Sequence, residues 1–394
     1  MPVQSLFSAR RPIQGLGALL GLLLTGLVQA QAVYPSRPVS LVVPFPPGGS
    51  TDIVARAIGP KLGERLGTSV VIDNRPGAGT AIGAAHVAKA TADGYTLLMG
   101  AGSTLTLNPA VRKNLPYDPV KSFDPVGMVS RTGLVLVANP QTPFSTVAEL
   151  AAAAKAAPGK WAYASFGAGT SSHFAAEMAF HAMGVQLTHV PYKGSAPAMT
   201  DVMGGQVPLA MDTVTAALPQ LKAGKIKVIA VASPKRVGLL PQVPTFAESG
   251  YPDVKLESWI MLMVPKGTPA AVQAKLQKAL TATLADPGVR KQLTDSGLEP
   301  SPSTAAEAVA LDVTDGAAVE KLPGEIIGRH GRLDIVVSNA GIMKTVPIAD
   351  AALFLVSAGI HSRLFELRPD PSRLTGFYLA TSLGGALGGL FGRD

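Results

Sequence analysis

Runs of β-branched residues alternate with stretches of helical periodicity along most of the chain. Residues 39–43 form a short apolar run typical of a buried strand, and residues 52–66 follow with apolar side chains at helical spacing. The first half continues in the same way, with strands predicted at 70–72, 95–99 and 134–137 and helices at 80–90 and 146–157. This alternation of strands and helices predicts an α/β fold.

The second half of the chain repeats the pattern. Strands are predicted at 161–165, 187–190, 207–211, 226–232 and 258–264, and helices at 171–183, 195–204, 269–284 and 287–296. The order of the elements predicts two α/β lobes, one formed by residues 33–135 with 258–304 and the other by residues 136–257. The chain then crosses between the lobes twice, which creates a hinge and a cleft.

Two Gly-rich loops, residues 44–52 and 165–173, each lie between a predicted strand and the start of a predicted helix. A loop of free backbone N–H groups at the positive end of a helix favours a small anion, and two facing loops would hold a carboxylate. Ser50 and Thr51 can cap the helix or donate to an anion. Each loop is equally compatible with an ordinary capped turn, and neither contains the Gly-Lys-Ser/Thr of a nucleotide-binding loop.

Two charged residues follow predicted strands of the second half. Asp212 comes at the end of the 207–211 strand, where its carboxylate can accept a hydrogen bond from an amine, a hydroxyl or a bridging water, or can cap a loop. Lys193 lies in the string VPYKG and either supplies positive charge to an anion or is simply solvated. Both interpretations stay open for each residue at this point.

Composition excludes several classes of function. The 394 residues include no cysteine, so disulfides, thiolate catalysis and cysteine-bound metals are excluded. The six histidines lack zinc-binding spacing, so no metal site is predicted. The net charge is +8, but no run of Lys and Arg is interleaved with aromatic residues, and we predict no nucleic-acid partner.

The N-terminus has the pattern of a signal peptide. Arg10 and Arg11 form a positive start, residues 15–28 are apolar but too short to span a membrane, and residues 30–32 read Ala-Gln-Ala. We therefore expect residues 1–32 to be removed on export and the mature protein to be periplasmic.

Several long strings, in order, resemble one known family. They are YPSRPVSLVVPFPPGGSTDIVAR, VIDNRPGAGTAIGAAHVAKATADGYTLL, YASFGAGTSSHFAAE, HVPYKGSAPAMTDVMGGQV and LPQVPTFAESG. Over about residues 30–304 the chain resembles the extracytoplasmic solute receptors of tripartite tricarboxylate transporters, the Bug family. The resemblance implies a type II periplasmic-binding-protein fold, a small carboxylate in the interlobe cleft, membrane transporter subunits as partners, no cofactor, no catalysis and a monomeric receptor.

The resemblance also assigns the ligand contacts. In that family the two loops hold a carboxylate through backbone N–H groups and bridging waters. Carried onto this chain, the contacts are Phe45, Pro47, Gly48, Gly49, Ser50, Thr51 and Asp52 in the first loop, Ser165, Gly167, Gly169, Thr170, Ser171 and His173 in the second, and Asp212. Thr213 departs from the family, which usually has Asn there, so the identity of the carboxylate stays open.

Residues 305–394 change character and are treated as an atypical tail. Residues 311–343 resemble the middle of a short-chain dehydrogenase, with Asn339-Ala340-Gly341 ending a strand, and residues 374–391 form an apolar segment resembling part of a membrane span. An NAD(P)-dependent oxidoreductase is therefore the alternative function, with a membrane-tethered protein as a third. The oxidoreductase is disfavoured because no Tyr-x-x-x-Lys pair follows the Asn-Ala-Gly strand.

Overall fold

A computed structural model describes residues 34–112, 114–305, 307, 335–339 and 342–346, and the described residues from Arg37 onward belong to one compact unit. The strands, in chain order, are β1 (Val39–Val43), β2 (Val70–Asn74), β3 (Thr96–Ala101), β4 (Phe123–Ala138), β5 (Ala162–Ser165), β6 (Thr188–Pro191), β7 (Leu209–Thr213), β8 (Lys227–Val231), β9 (Glu257–Pro265), β10 (Glu299–Pro300), β11 (Ile335–Asn339) and β12 (Ile342–Val346). The α/β class predicted from the alternating pattern is confirmed.

The helices agree with the predicted ones to within about two residues. They are α1 (Ser50–Leu66), α2 (Ala81–Ala88), α3 (Asn108–Val111), α4 (Val147–Ala156), α5 (Ser171–Met183), α6 (Ser195–Met203), α7 (Val214–Lys222), α8 (Ala270–Ala285) and α9 (Pro287–Asp295). Helices α3 and α7 were not predicted, because α3 has only four residues and Pro219 interrupts the interior of α7. A 3₁₀ turn at Ala78–Thr80 and a π-helical turn at Ser103–Leu107 were also missed.

The first sheet has a parallel half and an antiparallel half. Strand β1 lies between β2 and β3 and pairs with both in parallel, so the loops after β1 and β3 leave the same edge. Strand β9 then pairs antiparallel with β3, and β4 pairs antiparallel with β9. Ligand loops collect at the carboxyl ends of parallel strands, so this edge is where the first candidate loop is displayed.

The long strand β4 joins the first sheet to a second one. Its residues 123–133 pair with β9, and its residues 134–138 pair with β7 on one side and β8 on the other. Only residues 134–137 were predicted as strand, because Pro125, Gly127 and Gly133 interrupt the apolar pattern. The register shifts between Pro125 and Gly127, which is how the proline is accommodated.

The second sheet follows the same plan as the first. Strand β5 lies between β6 and β7 and is parallel to both, so the loop after β5 leaves a parallel edge, as the loop after β1 does. One face of this sheet buries Tyr163, Phe180 and Phe246 in its core, and the other buries Met199 and Leu218. Helices on both faces of a parallel sheet produce the near-continuous apolar strands seen in the sequence.

The chain beyond α9 packs back on the first sheet as far as residue 303. Strand β10 pairs with β4, and the Ser303 hydroxyl accepts a hydrogen bond of 3.0 Å from the Met128 N–H. Further on, β11 ends at Asn339, as the sequence predicted, and pairs antiparallel with β12. The predicted signal peptide (1–32), most of the dehydrogenase-like fragment (311–343) and the apolar segment 374–391 lie outside the described residues.

No helix in the described part of the chain is long and apolar enough to cross a membrane.

Candidate functional site

The two predicted loops face each other across a closed cleft. The ring of Phe45, from the loop after β1, packs edge to face on that of Phe166, from the loop after β5, with centroids 6.0 Å apart. Gly194, before α6, lies so close to Pro46 that a Cβ there would overlap the proline Cγ and come within 2.7 Å of its Cδ. Residues of the second sheet's loops thus touch the first loop directly.

A small inner cavity lies between the loops of the first sheet, here called the first wall, and the loops of the second sheet, the second wall. Its volume is about 20 Å³, which is room for roughly one water molecule. The lining residues are Phe45, Pro46, Gly49, Ser50, Thr51, Ala101, Ser103, Phe166, Ser195 and Ser258. Five of them carry hydroxyl groups and none is charged, so the polar groups offered to a ligand are hydroxyls and backbone.

The N-terminus of α1 opens into this cavity. Helix α1 begins at Ser50, two residues earlier than predicted, and its N-cap Gly49 has no side chain to satisfy the first N–H groups. The N–H groups of Gly49, Ser50 and Thr51 have no acceptor among the described residues. Unpaired N–H groups and the positive end of the helix dipole favour an anion here.

Asp52 anchors the first loop from behind. Its carboxylate accepts hydrogen bonds from the Gly48 N–H at 3.0 Å, the Arg56 Nε at 2.9 Å and the Asn74 Nδ2 at 2.9 Å, and its side chain is 3% exposed. Burial alone raises the pKa of Asp52, but the hydrogen bonds from Arg56, Gly48 and Asn74 outweigh it, so the pKa lies below its ordinary value. Asp52 does not line the cavity, and neither do the exposed Pro47 and Gly48.

The second loop satisfies most of its own N–H groups. The Gly167 N–H donates to Ser165 Oγ at 3.2 Å, and the Gly169 N–H donates to His173 Nδ1 at 3.3 Å. The Thr170 hydroxyl donates to the Gly167 carbonyl at 2.6 Å. The expectation of free backbone N–H groups therefore holds at α1 but is wrong for these positions, because Ser and His side chains fold back onto the loop and accept its N–H groups.

Ser171 links the two walls. Its N–H donates to Ser103 Oγ on the first wall at 3.1 Å, whereas its own buried hydroxyl has no partner among the described residues. Asn108 lies opposite, where its Nδ2 donates to Thr80 Oγ1 at 3.2 Å and to the Gly79 carbonyl while its Oδ1 stays unpaired. Unpaired buried oxygens on both walls are typical of a site that a ligand or a water completes.

Asp212 lies within β7, not after it, and is fully buried. Its Oδ1 accepts hydrogen bonds of 2.7 Å from the Ser195 hydroxyl and from the Thr213 N–H, and its Oδ2 has no partner in the described part of the chain. Burial raises the pKa of Asp212 to about 6, although the bonds from Ser195 and Thr213 lower it. Thr213, not Asp212, is the N-cap residue of α7, although Asp212 Oδ1 accepts the Thr213 N–H.

Two stacked histidines support the second loop from the outside. The His173 and His189 rings lie 4.1 Å apart and nearly parallel, and the His189 Nε2 is 2.7 Å from Ser165 Oγ. Burial lowers the pKa of both, that of His189 to about 4, so both are neutral at pH 7. His173 thus reaches the cleft through its bond to the Gly169 N–H and does not line the inner cavity.

A second cavity, the outer cavity, continues the cleft toward solvent. It has a volume of about 220 Å³ and shares Phe45, Pro46 and Phe166 with the inner cavity. Its other lining residues are Pro44, Pro76, Gly77, Ala78, Gly79, Thr80, Arg112, Gly167, Ala168, Pro191, Tyr192 and Lys193. Lys193 lines this cavity and is exposed, so the structure leaves both of its interpretations open.

Other features of the described residues do not compete with the cleft. A cavity of about 630 Å³ beside the start of α4, the end of α7 and β8 is lined by Thr146, Leu221, Val243 and neighbours. Its one charged lining residue, Lys227, already donates 2.7 Å to the Thr142 carbonyl, and no unpaired buried oxygen lines it. No group of acidic and histidine side chains in the described residues is arranged to hold a metal ion.

Sequence reasoning missed several cleft residues. Ser103, Asn108, Ser195 and Ser258 come from segments far apart in the chain, and none belongs to a Gly-rich loop. Ser195 carried a usable signal, because it begins a predicted helix directly after a glycine. Ser103 and Asn108 carried none, since they lie in the π-helical turn and in a four-residue helix.

Comparison with known proteins identifies the family. Residues 54–321 match the tripartite tricarboxylate transporter family receptor. BugT of Bordetella pertussis is 37% identical over 268 residues, covering 68% of this chain and 82% of BugT. A solved protein of R. palustris with adipate is 36% identical with a TM-score of 0.69, covering 73% of this chain and 96% of that one. MatC from Rhodopseudomonas palustris, with bound malate, is 35% identical with a TM-score of 0.66, covering 68% and 91%.

A shorter similarity points to a different class of protein. Sorbitol dehydrogenase of Cereibacter sphaeroides is 35% identical over 86 residues, which is 20% of this chain and only 32% of the dehydrogenase. The receptor match, by contrast, spans more than half of this chain and agrees with the two sheets and the cleft described above. The chain belongs to the tripartite tricarboxylate transporter receptor family, as the resemblance of its sequence indicated.

Proposed function

We propose that this receptor captures a small carboxylate at the N-terminus of α1 and delivers it to membrane subunits of the tripartite tricarboxylate type. The observation that carries the proposal is the set of three N–H groups, at Gly49, Ser50 and Thr51, that point from a helix start without an acceptor among the described residues. A carboxylate oxygen is the acceptor that such a site favours. The family membership and the relatives with adipate and malate support the same ligand class.

The hydroxyl groups around the cavity complement this backbone site. Ser103 and Ser195 lie on opposite walls of the inner cavity, so a ligand that bonds both holds the walls together. Ser195 is itself fixed by Asp212, which leaves its hydroxyl oxygen free to accept while its proton is committed to the carboxylate. A donor group on the ligand, or a bridging water, fits this oxygen, whereas Asp212 itself does not line the cavity.

Ligand entry requires the cleft to open. The inner cavity of about 20 Å³ is smaller than any dicarboxylate, and Phe45 and Phe166 close it from the outer cavity. We therefore propose that residues 33–135 with 258–304 and residues 136–257 move apart as two lobes and close again over the ligand. The ligand then stabilises the closed form because it contacts both lobes only there, and the membrane subunits recognise that closed form.

The remaining assignments are part of the same proposal. Receptors of this family are periplasmic, and we propose that residues 1–32 are the export signal and that the mature protein is a monomer. We further propose that it needs no cofactor and catalyses no reaction, since the polar groups that the inner cavity offers are backbone groups and hydroxyls. N-terminal sequencing of periplasmic protein tests the first point, and a start at Met1 contradicts it.

The dehydrogenase alternative is not proposed. The similarity to sorbitol dehydrogenase is consistent with a dehydrogenase-like fragment in the tail, but it covers only a third of such an enzyme. Strand β11 pairs antiparallel with β12, whereas a dinucleotide-binding domain needs parallel strands and a Gly-rich first turn. We propose that residues 305–394 are an appended tail without NAD(P) binding.

Isothermal calorimetry of the exported full chain against a panel of mono-, di- and tricarboxylates tests the function. We expect saturable binding of at least one carboxylate and none of matched amides, which lack the negative charge that the helix end favours. Equal binding of an acid and its amide, or no binding of any acid, contradicts the proposal.

A further inference from the structure

The outer cavity differs from the inner one in carrying two positive charges. Arg112 follows α3 on the first wall, and Lys193 follows β6 on the second. No Asp or Glu is among the residues that line the cavity, and neither cation forms an ion pair with a described residue. Lys193 is exposed and Arg112 is half-buried, so the two unpaired cations create a positive potential at the mouth of the cavity.

Arg112 still has hydrogen-bonding capacity. Its Nη2 donates to the Ala168 carbonyl on the opposite wall at 3.3 Å, which is long for such a bond. The remaining N–H groups of the guanidinium have no acceptor in the described part of the chain. A carboxylate is the group that a guanidinium binds best, since two parallel bonds can form. Arg75, by comparison, is already paired with Asp73 at 2.7 Å.

The walls between the cations and the inner cavity are apolar. Four prolines line the outer cavity, and the rings of Phe45 and Phe166 separate it from the inner one. A polar linker would lose its hydration there without gaining partners. An aliphatic or aromatic linker instead replaces water against proline and phenylalanine, at a gain of the usual hydrophobic kind.

We propose that Arg112 and Lys193 form a second anion subsite and make this receptor selective for dicarboxylates with an apolar linker. The first carboxylate lies at the N-terminus of α1, the linker passes Phe45 and Phe166, and the distal carboxylate binds between the two cations. This inference rests on the proposed function, because it needs the first carboxylate at α1. Arg112 and Lys193 are then specificity-determining residues of the cleft.

The test uses pairs of ligands that differ only in the distal group. Adipate and hexanoate have the same six-carbon chain, and the series extends to matched mono- and dicarboxylates of four to ten carbons. The variants are Arg112→Gln and Lys193→Gln, with Lys155→Gln on the exposed face of α4 as the control. Calorimetry gives the affinity of each, and thermal unfolding checks that each variant is folded.

We expect the best dicarboxylate to bind at least about tenfold tighter than its monocarboxylate, since hydrogen bonds to charged groups are the strong class. Arg112→Gln should remove most of that ratio, with a larger loss for the dicarboxylate than for the monocarboxylate. Lys193→Gln should remove a smaller part of the ratio, and Lys155→Gln none.

Three results overturn the inference. If the parent protein binds monocarboxylates and dicarboxylates equally well, there is no second anion subsite, and the proposed function is unaffected. If Arg112→Gln loses the same affinity for monocarboxylates and dicarboxylates, Arg112 acts by closing the cleft through its bond to Ala168 and not by binding the distal carboxylate. No binding of any acid in either series contradicts the proposed function, and the inference falls with it.

Discussion

Replacing Asp212 by Asn should stabilise the unliganded protein, and the gain should depend on pH. The substitution keeps the shape of the side chain and an oxygen that accepts from Ser195 and the Thr213 N–H. It removes a negative charge that is fully buried and has one oxygen without a partner in the described residues. A buried polar group without its partner is costly, and a charged one more so.

The magnitude follows from the raised pKa. Burial moves the pKa of Asp212 from 3.8 to about 6, which corresponds to about 3 kcal/mol of penalty once the group is ionised in both states. Between these two values the folded protein keeps a proton on Asp212 that the unfolded chain has lost, so stability from this group falls as the pH rises through the window. Above pH 6 the penalty is complete, and below pH 3.8 it is absent.

Urea unfolding followed by the fluorescence of the two tryptophans measures this directly at pH 8, 6 and 4.5. The free energy of unfolding of Asp212→Asn, minus that of the parent, should be larger at pH 8 than at pH 4.5 by about 2 kcal/mol. This is less than the full penalty, because part of the pH range over which the penalty develops lies below pH 4.5. Taking the difference cancels the other titrating groups, which are unchanged by the substitution.

Asp52→Asn is the matched control, because the pKa of Asp52 is shifted the other way. The ionised Asp52 stabilises the folded protein fully above its pKa in the unfolded chain, and this stabilisation is lost as the pH falls through its lower pKa in the folded protein. That variant should therefore be less stable than the parent at pH 8, with a deficit that shrinks toward pH 3. A difference for Asp212→Asn that stays constant from pH 8 to pH 4.5 would refute the reasoning about its buried charge.

Three further predictions concern the closed cleft and its support. Gly194→Ala should abolish tight ligand binding, because φ is +125° and the new Cβ would overlap Pro46. The control Gly224→Ala lies at a milder positive φ of +67° with open space around it, so it should lose about 1 kcal/mol of stability but no affinity in calorimetry. Ser171→Ala should leave the urea midpoint nearly unchanged, since its hydroxyl is unpaired, yet weaken carboxylate binding by about 1 kcal/mol; unchanged affinity would show that the hydroxyl faces no ligand. His189→Gln should reduce the loss of stability that the parent shows as the pH falls from 6.5 to 4. The pKa of His189 is lowered, so in this range the unfolded chain binds a proton that the folded protein does not. An unchanged dependence of the free energy of unfolding on pH, measured by urea unfolding, contradicts this.

The strands and helices of the two sheets could be predicted because each half of the chain uses the same local signals. Runs such as residues 39–43 are followed by a glycine loop and then a helical stripe, and the structure places β1 and α1 there. Strand β4 could not be predicted in full, since Pro125 and Gly127 are local breakers that only the pairing with β9 overrides.

The candidate site was predictable in part for a similar reason. The local string Gly-Gly-Ser-Thr predicts a helix start near Ser50, so the free N–H groups at the start of α1 could be predicted. The state of the second loop could not, because the acceptors of its N–H groups include Ser103, almost 70 residues away. The location of Asp212 inside β7 depends on register with β4 and not on its own neighbours. The assignments of residues 1–32 and 374–391 stay predictions.

A crystal structure of the full mature chain with the tightest-binding carboxylate of the panel tests the central claim most directly. The account predicts a carboxylate oxygen within about 2.7–3.2 Å of the backbone nitrogens of Ser50 or Thr51, with Phe45 and Phe166 against the rest of the ligand. A carboxylate bound only between Arg112 and Lys193, or in the cavity beside Lys227, with the N–H groups at the start of α1 left to water, would contradict it.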